Sequence, residues 1–82
     1  MKANIKVLVF DGVSGEVELE ALMTASEAQT VIDARLFNPR RTIVTIRQND
    51  SGDIVGQVTN GESIRVPVCR ADYPAYTVGI TI

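Results

Sequence analysis

Residues 16–22, EVELEAL, alternate strictly between acidic and apolar side chains. Successive side chains of a β-strand point to opposite faces, so a strand places these glutamates on one face and the apolar residues on the other. A helix would scatter the same glutamates around its circumference. The stretch therefore predicts a strand with a solvent-facing acidic row formed by Glu16, Glu18 and Glu20.

A helix is predicted to begin soon afterwards, at Thr24. Residues 24–27, TASE, have the form of a capping box, in which the threonine hydroxyl and the Glu27 carboxylate each accept a hydrogen bond from the other residue's amide. Apolar residues then recur at spacings of three and four, which indicates an apolar stripe that packs on a sheet. Asn38-Pro39 is predicted to end the helix, because the residue before a proline avoids helical geometry.

Five further segments have the composition of strands. Residues 3–10 are mostly apolar on both faces, and a turn at 11–15 joins them to strand 16–22. The remaining predicted strands are 40–48, 54–59, 63–69 and 76–82, with a turn at 49–53 and a tight hairpin at Asn60-Gly61. The predicted element order is ββαββββ.

This order predicts one α+β domain over residues 1–82, an antiparallel sheet of five to six strands with one helix packed on one face. The alternative is a small open barrel with one helix. Pro67 lacks an N–H donor, so strand 63–69 is expected at a sheet edge or broken. Strand 76–82 is expected either inside the sheet or at an edge, where it could add to a second copy in a homodimer.

The composition excludes several classes of function. The chain has no histidine, which removes the commonest general base and every Ser-His-Asp or Cys-His arrangement. Its net charge is −2 and its four aromatic residues do not alternate with arginines, whereas nucleic-acid binding needs surplus positive charge and stacking platforms. We therefore expect no enzyme, no cofactor, no metal site and no nucleic-acid partner.

Cysteine usage and hydropathy predict the compartment. Cys69 is the only cysteine, and a small secreted domain ordinarily needs disulfides to supplement its core. The apolar run near the N-terminus alternates with polar residues and leads into no cleavage site, so no signal peptide is expected. No apolar stretch approaches the roughly 20 residues of a membrane helix. The sequence predicts a cytoplasmic protein with no membrane partner.

The arginines of strand 40–48 are candidate binding residues. Alternation places Arg41 and Arg47 outward and turns Val44 and Ile46 toward the helix. If this strand neighbours strand 16–22, the two arginines pair with the glutamates there. Otherwise they form a patch for a carboxylate or phosphate, which guanidinium binds bidentately. The residues that could complete this patch are Arg40, Arg65 and Arg70.

These features favour a non-catalytic protein-interaction domain that binds another protein through a charged sheet face or an edge strand. Tyr73 and Tyr76 flank Pro74 in a loop, a composition common at interfaces. In size, acidity and lack of catalytic residues the chain resembles the small accessory and inhibitor proteins of phages and other mobile elements, anti-CRISPR proteins among them; the likeness is one of layout alone. The alternative hypothesis is a small-molecule or nucleotide anion-binding domain that uses the arginine patch.

Overall fold

The computed structural model describes residues 3–36, 42–59, 62–68 and 74–82. Within these ranges the chain forms one helix and five strands, in the order ββαβββ. The elements are β1 (Ile5–Phe10), β2 (Val17–Met23), α1 (Ala25–Leu36), β3 (Ile43–Gln48), β4 (Ile54–Thr59) and β5 (Tyr76–Thr81).

The predicted turn between the first two strands is confirmed. The Asp11 carboxylate accepts hydrogen bonds from the backbone amides of Val13 (2.8 Å) and Ser14 (3.2 Å). Gly15 has a φ of 75°, which a residue without a Cβ adopts at no steric cost. Local side-chain bonding and one glycine therefore reverse the chain here.

The capping box at the start of α1 is also confirmed. The Thr24 hydroxyl accepts from the Glu27 amide and the Glu27 carboxylate accepts from the Thr24 amide, both at 3.2 Å. At the other end of the helix, the buried Thr42 hydroxyl donates to the Arg35 carbonyl (3.3 Å) and fixes the entry of β3. The predicted helix end at Asn38-Pro39 and the predicted hairpin at Asn60-Gly61 lie outside the described residues.

The strands form one open sheet in the order β2-β1-β5-β3-β4. Three neighbouring pairs are antiparallel, and one of the two inner pairs, β1 with β5, is parallel. The predicted α+β class with one helix on one sheet face is confirmed, but the sheet is mixed where a wholly antiparallel one was expected. Because the sheet is open, the barrel alternative is wrong.

The core lies between α1 and one face of the sheet. Alternate residues of the central strands point toward the helix, as predicted for Val44 and Ile46. Ala25, Ala28 and Ile32 form the matching stripe of the helix. The other sheet residues of this core are Ile5, Val7, Val9, Val78 and Ile80.

Residues 62–68, here called the strap, are not a strand, so the predicted strand 63–69 is wrong over its described part. The Gln29 side chain of α1 donates to the Ile64 carbonyl and accepts from the Val66 amide, both at 2.8 Å. Val66 is buried in the core beneath this contact. A helix side chain thus satisfies backbone groups that the predicted strand would have paired with a neighbouring strand.

Candidate binding surface

The sheet has a second face, opposite α1, which we call the open face. Side chains that are opposite each other in paired strands share a face, so the strand register arranges the open face as three rows of five residues. The rows run from β2 across β1, β5 and β3 to β4. They are Leu22, Lys6, Thr77, Arg47 and Ile54; Glu20, Leu8, Gly79, Thr45 and Gln57; and Val17, Phe10, Thr81, Ile43 and Thr59.

Gly79 occupies the centre of the middle row and leaves a shallow depression of about 350 Å³. Leu8 and Thr45 are its neighbours on either side. A Cβ added at Gly79 would lie 3.7 Å from Phe10 Cε2, an ordinary van der Waals distance. Internal packing therefore does not require glycine here, and the depression has room for a side chain from outside.

Charged groups border this depression on two sides. Lys6 Nζ lies 3.2 Å from Glu20 Oε1, and both side chains are about half exposed. Arg47 Nη1 donates a 2.6 Å hydrogen bond to the Gly52 carbonyl in the β3–β4 turn. That bond ties the guanidinium to the turn, and Arg47 lies between Thr77 and Ile54 in its row. The open face therefore has apolar side chains and threonines around the central glycine, and its charged residues lie in the first two of its three rows.

The predicted acidic row is interrupted by a β-bulge in β2. The register passes from Val9 opposite Leu19 to Phe10 opposite Val17, so Glu18 is the extra residue without a partner on β1. Glu20 lies on the open face, while Glu16 precedes β2 and is exposed. Since Val17 also lies on the open face, the two faces of β2 are not purely acidic and purely apolar.

The proposed pairing of glutamates with arginines required β2 and β3 to be neighbours, and they are not. Two strands, β1 and β5, lie between them, so β2 and β3 are separated by about 14 Å at roughly 4.8 Å per strand. Glu20 pairs with Lys6 instead. Arg47 bonds to its own turn, and Arg41 lies outside the described residues.

The other candidate residues do not join Arg47. Arg65 lies on the strap, which packs on the helix side of the sheet, whereas Arg47 is on the open face. Tyr76 is opposite Ile5 on β1, so it faces the helix side, where it is half-buried against the core. The remaining predicted contributors lie outside the described residues; they are Tyr73, Arg40 and Arg70.

The residues at the centre of the open face were not among the sequence candidates. Leu8 and Phe10 lie on the second face of a strand that is mostly apolar on both faces, and both are half-buried. One signal could have identified them, because a single helix covers one face of a sheet, whereas strand 3–10 has apolar residues on both of its faces. No helix among the described residues covers the second face.

The described part of the chain contains no helix that is long and apolar enough to cross a membrane. It also contains no group of three or more cysteine or acidic residues that could hold a metal ion. Comparison with protein-family models, with curated proteins and with solved structures found no significant match to this chain.

Proposed function

We propose that this protein is a non-catalytic protein-interaction domain and that the open face is its contact surface. The observation that carries the proposal is a sheet face that no described element covers, with a depression at its centre and charged groups beside it. Protein–protein interfaces combine apolar contacts with polar and charged groups, and this face offers both.

Exposed apolar side chains around the open face support the same proposal. Three corners of the surface are occupied by large apolar residues that are half exposed: Val17 (50%), Leu22 (56%) and Ile54 (50%). Single exposed apolar residues are normal, but these three share one sheet face with the half-buried Leu8 and Phe10, which supports an interaction surface. A partner that covers this face would remove all of them from water together.

The charge of the open face favours an acidic surface on the partner. Its charged residues are Lys6, Arg47 and Glu20, which sum to +1, whereas the whole chain carries −2. We propose that the partner inserts an aliphatic side chain above Gly79 and places a carboxylate near Arg47. Opposite potentials of this kind give an interface its orientation and specificity.

Two broader attributes belong to the proposal as well. The small size and acidity of the chain support a role as an accessory or inhibitor protein of a phage or mobile element, and the single Cys69 supports a cytoplasmic location. The alternative anion-binding function has less support, because Arg47 and Arg65 lie on opposite sides of the sheet.

A matched pair of lysine substitutions tests the proposal. Thr45→Lys places a charged side chain beside the depression, whereas Ala34→Lys adds the same charge on the exposed outer side of α1. In affinity capture from the cells that express the protein, we expect Ala34→Lys to retain the wild-type partner and Thr45→Lys to lose at least about tenfold of it, since a buried unpaired charge costs several kcal/mol.

Both variants are first checked for a wild-type circular dichroism spectrum and unfolding midpoint. Equal capture by the wild type and both variants would refute the open face as the contact surface. Loss with Ala34→Lys alone would place the interface on the helix side.

A further inference from the structure

The sheet has two edge strands, β2 and β4, and they differ in charge. Among the described residues each pairs with only one neighbour, and an edge strand presents unpaired N–H and C=O groups that a further strand can join. Glu18 and Glu20 lie within β2, and its bulge disrupts the edge. β4, IVGQVT, has no charged residue and no proline. Charge therefore protects β2 from strand addition, whereas nothing in the composition of β4 does.

The hydrogen bonds around β3 identify which backbone groups of β4 point outward. Gln48 donates to Asp53 and accepts from Gly52, both at 2.8 Å, while Asn49 donates to Ala75 beside β5. The backbone N–H and C=O groups of successive residues in an antiparallel strand point alternately to its two neighbouring strands. Those of Gln48 point to the β4 side, so those of Val44, four residues earlier, point to Val58 on β4. The N–H and C=O groups of the two residues that flank Val58, Gln57 and Thr59, then project from the free edge.

The free edge of β4 is regular over residues 56–59. The bulge in this strand lies at Val55, before that stretch. Ile54 and Val55 at the bulge are 50% and 49% exposed. After β4 the strap packs against α1 through Gln29, and among the described residues β3 is the only strand paired with β4.

We propose that β4 pairs antiparallel with β4 of a second copy of this chain, so that two five-stranded sheets join into one across a dimer. A second copy is the occupant that the charges favour, because two neutral strands meet without repulsion, whereas two β2 strands would oppose glutamates with glutamates. A two-fold axis perpendicular to the sheet places both helices on one side and joins the two open faces on the other.

This inference goes beyond the proposed function and does not depend on it, since the dimer forms with no other protein present. The regular edge is short, so the interface belongs to the small class, below about 1,200 Å² in total. We therefore expect a dimer at micromolar concentrations of the chain. Its two-fold symmetry uses the β4 edge of both copies, so no larger assembly forms through this edge.

Opposite charges at Gln57 test the pairing. When Gln57 lies opposite Gln57 or opposite Thr59 of the second copy, the two Gln57 side chains lie within about 8 Å of each other. Gln57→Lys and Gln57→Glu should each weaken the dimer at least tenfold when alone, because like charges then meet. An equimolar mixture of the two variants should restore it, because opposite charges meet.

The measurement is sedimentation equilibrium of the purified chain up to high micromolar concentration. We expect the wild type to reach twice the 8.9 kDa chain mass. Glu18→Lys on the other edge and Thr45→Lys on the open face serve as controls that should dimerise like the wild type. A wild-type monomer throughout the range would overturn the proposal, as would dimerisation of either Gln57 variant alone or failure of their mixture to associate. Loss of partner capture by Thr45→Lys with its dimer intact separates this proposal from the function of the open face.

Discussion

Gln29→Ala is expected to release the strap from the helix. The Gln29 amide forms two 2.8 Å hydrogen bonds to strap backbone groups, one with the Ile64 carbonyl and one with the Val66 amide, and a third bond of 2.9 Å to the Asp33 carboxylate. Alanine removes all of them. It also removes the only partners that the described structure gives to these two strap groups.

The magnitude follows from the burial of this contact. Leaving a buried backbone group without a partner costs about 1–3 kcal/mol, and the lower end applies here because both bonds are only partly buried. Two such groups give about 2 kcal/mol. If the strap detaches, Val66, which is 4% exposed, adds about 1.5 kcal/mol for its return to water. The free energy of unfolding should therefore fall by about 2–3.5 kcal/mol.

Urea unfolding followed by circular dichroism measures this loss, and native-state hydrogen exchange reports on the Val66 amide itself. Thr30→Ala is the matched control, because within the described part of the chain the Thr30 hydroxyl bonds only to the Ser26 carbonyl of the same helix. We expect little change for the control and faster Val66 exchange in Gln29→Ala. A loss below about 0.5 kcal/mol, or unchanged Val66 exchange, would refute the role given to Gln29.

Two further stability predictions concern a close backbone approach and the helix cap. A Cβ at Gly12 would lie 2.5 Å from the Ile82 carbonyl oxygen, so Gly12→Ala should lower the unfolding free energy by about 1–3 kcal/mol through overpacking. A Cβ at Gly15 has no neighbour within 4 Å, so Gly15→Ala should lower the unfolding free energy by only about 1 kcal/mol, because of the positive φ. Urea unfolding that shows a larger loss of stability for Gly15→Ala than for Gly12→Ala would contradict this. Thr24→Ala removes the cap and should cost about 1 kcal/mol, against almost none for Thr30→Ala in the same assay; equal losses would contradict the cap.

Features that depend on neighbouring residues could be predicted from the sequence. The capping box of Thr24 and Glu27, the Asp11 turn and the alternation in β3 each involve atoms a few residues apart. Their chemistry is the same in any fold that contains the segment. These features could therefore be predicted without knowing the order of the strands in the sheet.

The strap shows that a local sequence pattern can predict a strand where none forms. Residues 63–69 have the composition of a strand, yet the backbone of Ile64 and Val66 finds its partner in Gln29, more than 30 residues earlier. Strand propensity reports a preference for extended backbone and a half-buried surface. It does not say whether a strand or a helix side chain satisfies the backbone groups.

The order of the strands in the sheet could not be predicted from the sequence either. β5 lies between β1 and β3 and pairs in parallel with β1, a contact between the two ends of the fold that no local signal encodes. This insertion separates β2 from β3 and so removes the predicted pairing of glutamates with arginines. It also brings Gly79 beside Leu8 and Thr45, which creates the depression of the open face.

Site-specific photo-cross-linking tests the open face as the contact surface most directly. A photo-reactive amino acid is placed at position 45 beside the depression in one variant, and at position 34 on the outer side of α1 in a second. After irradiation of cells that express each variant, we predict a discrete covalent adduct with another protein from position 45 and none from position 34. Adducts from position 34 alone, or none from position 45, would contradict the account.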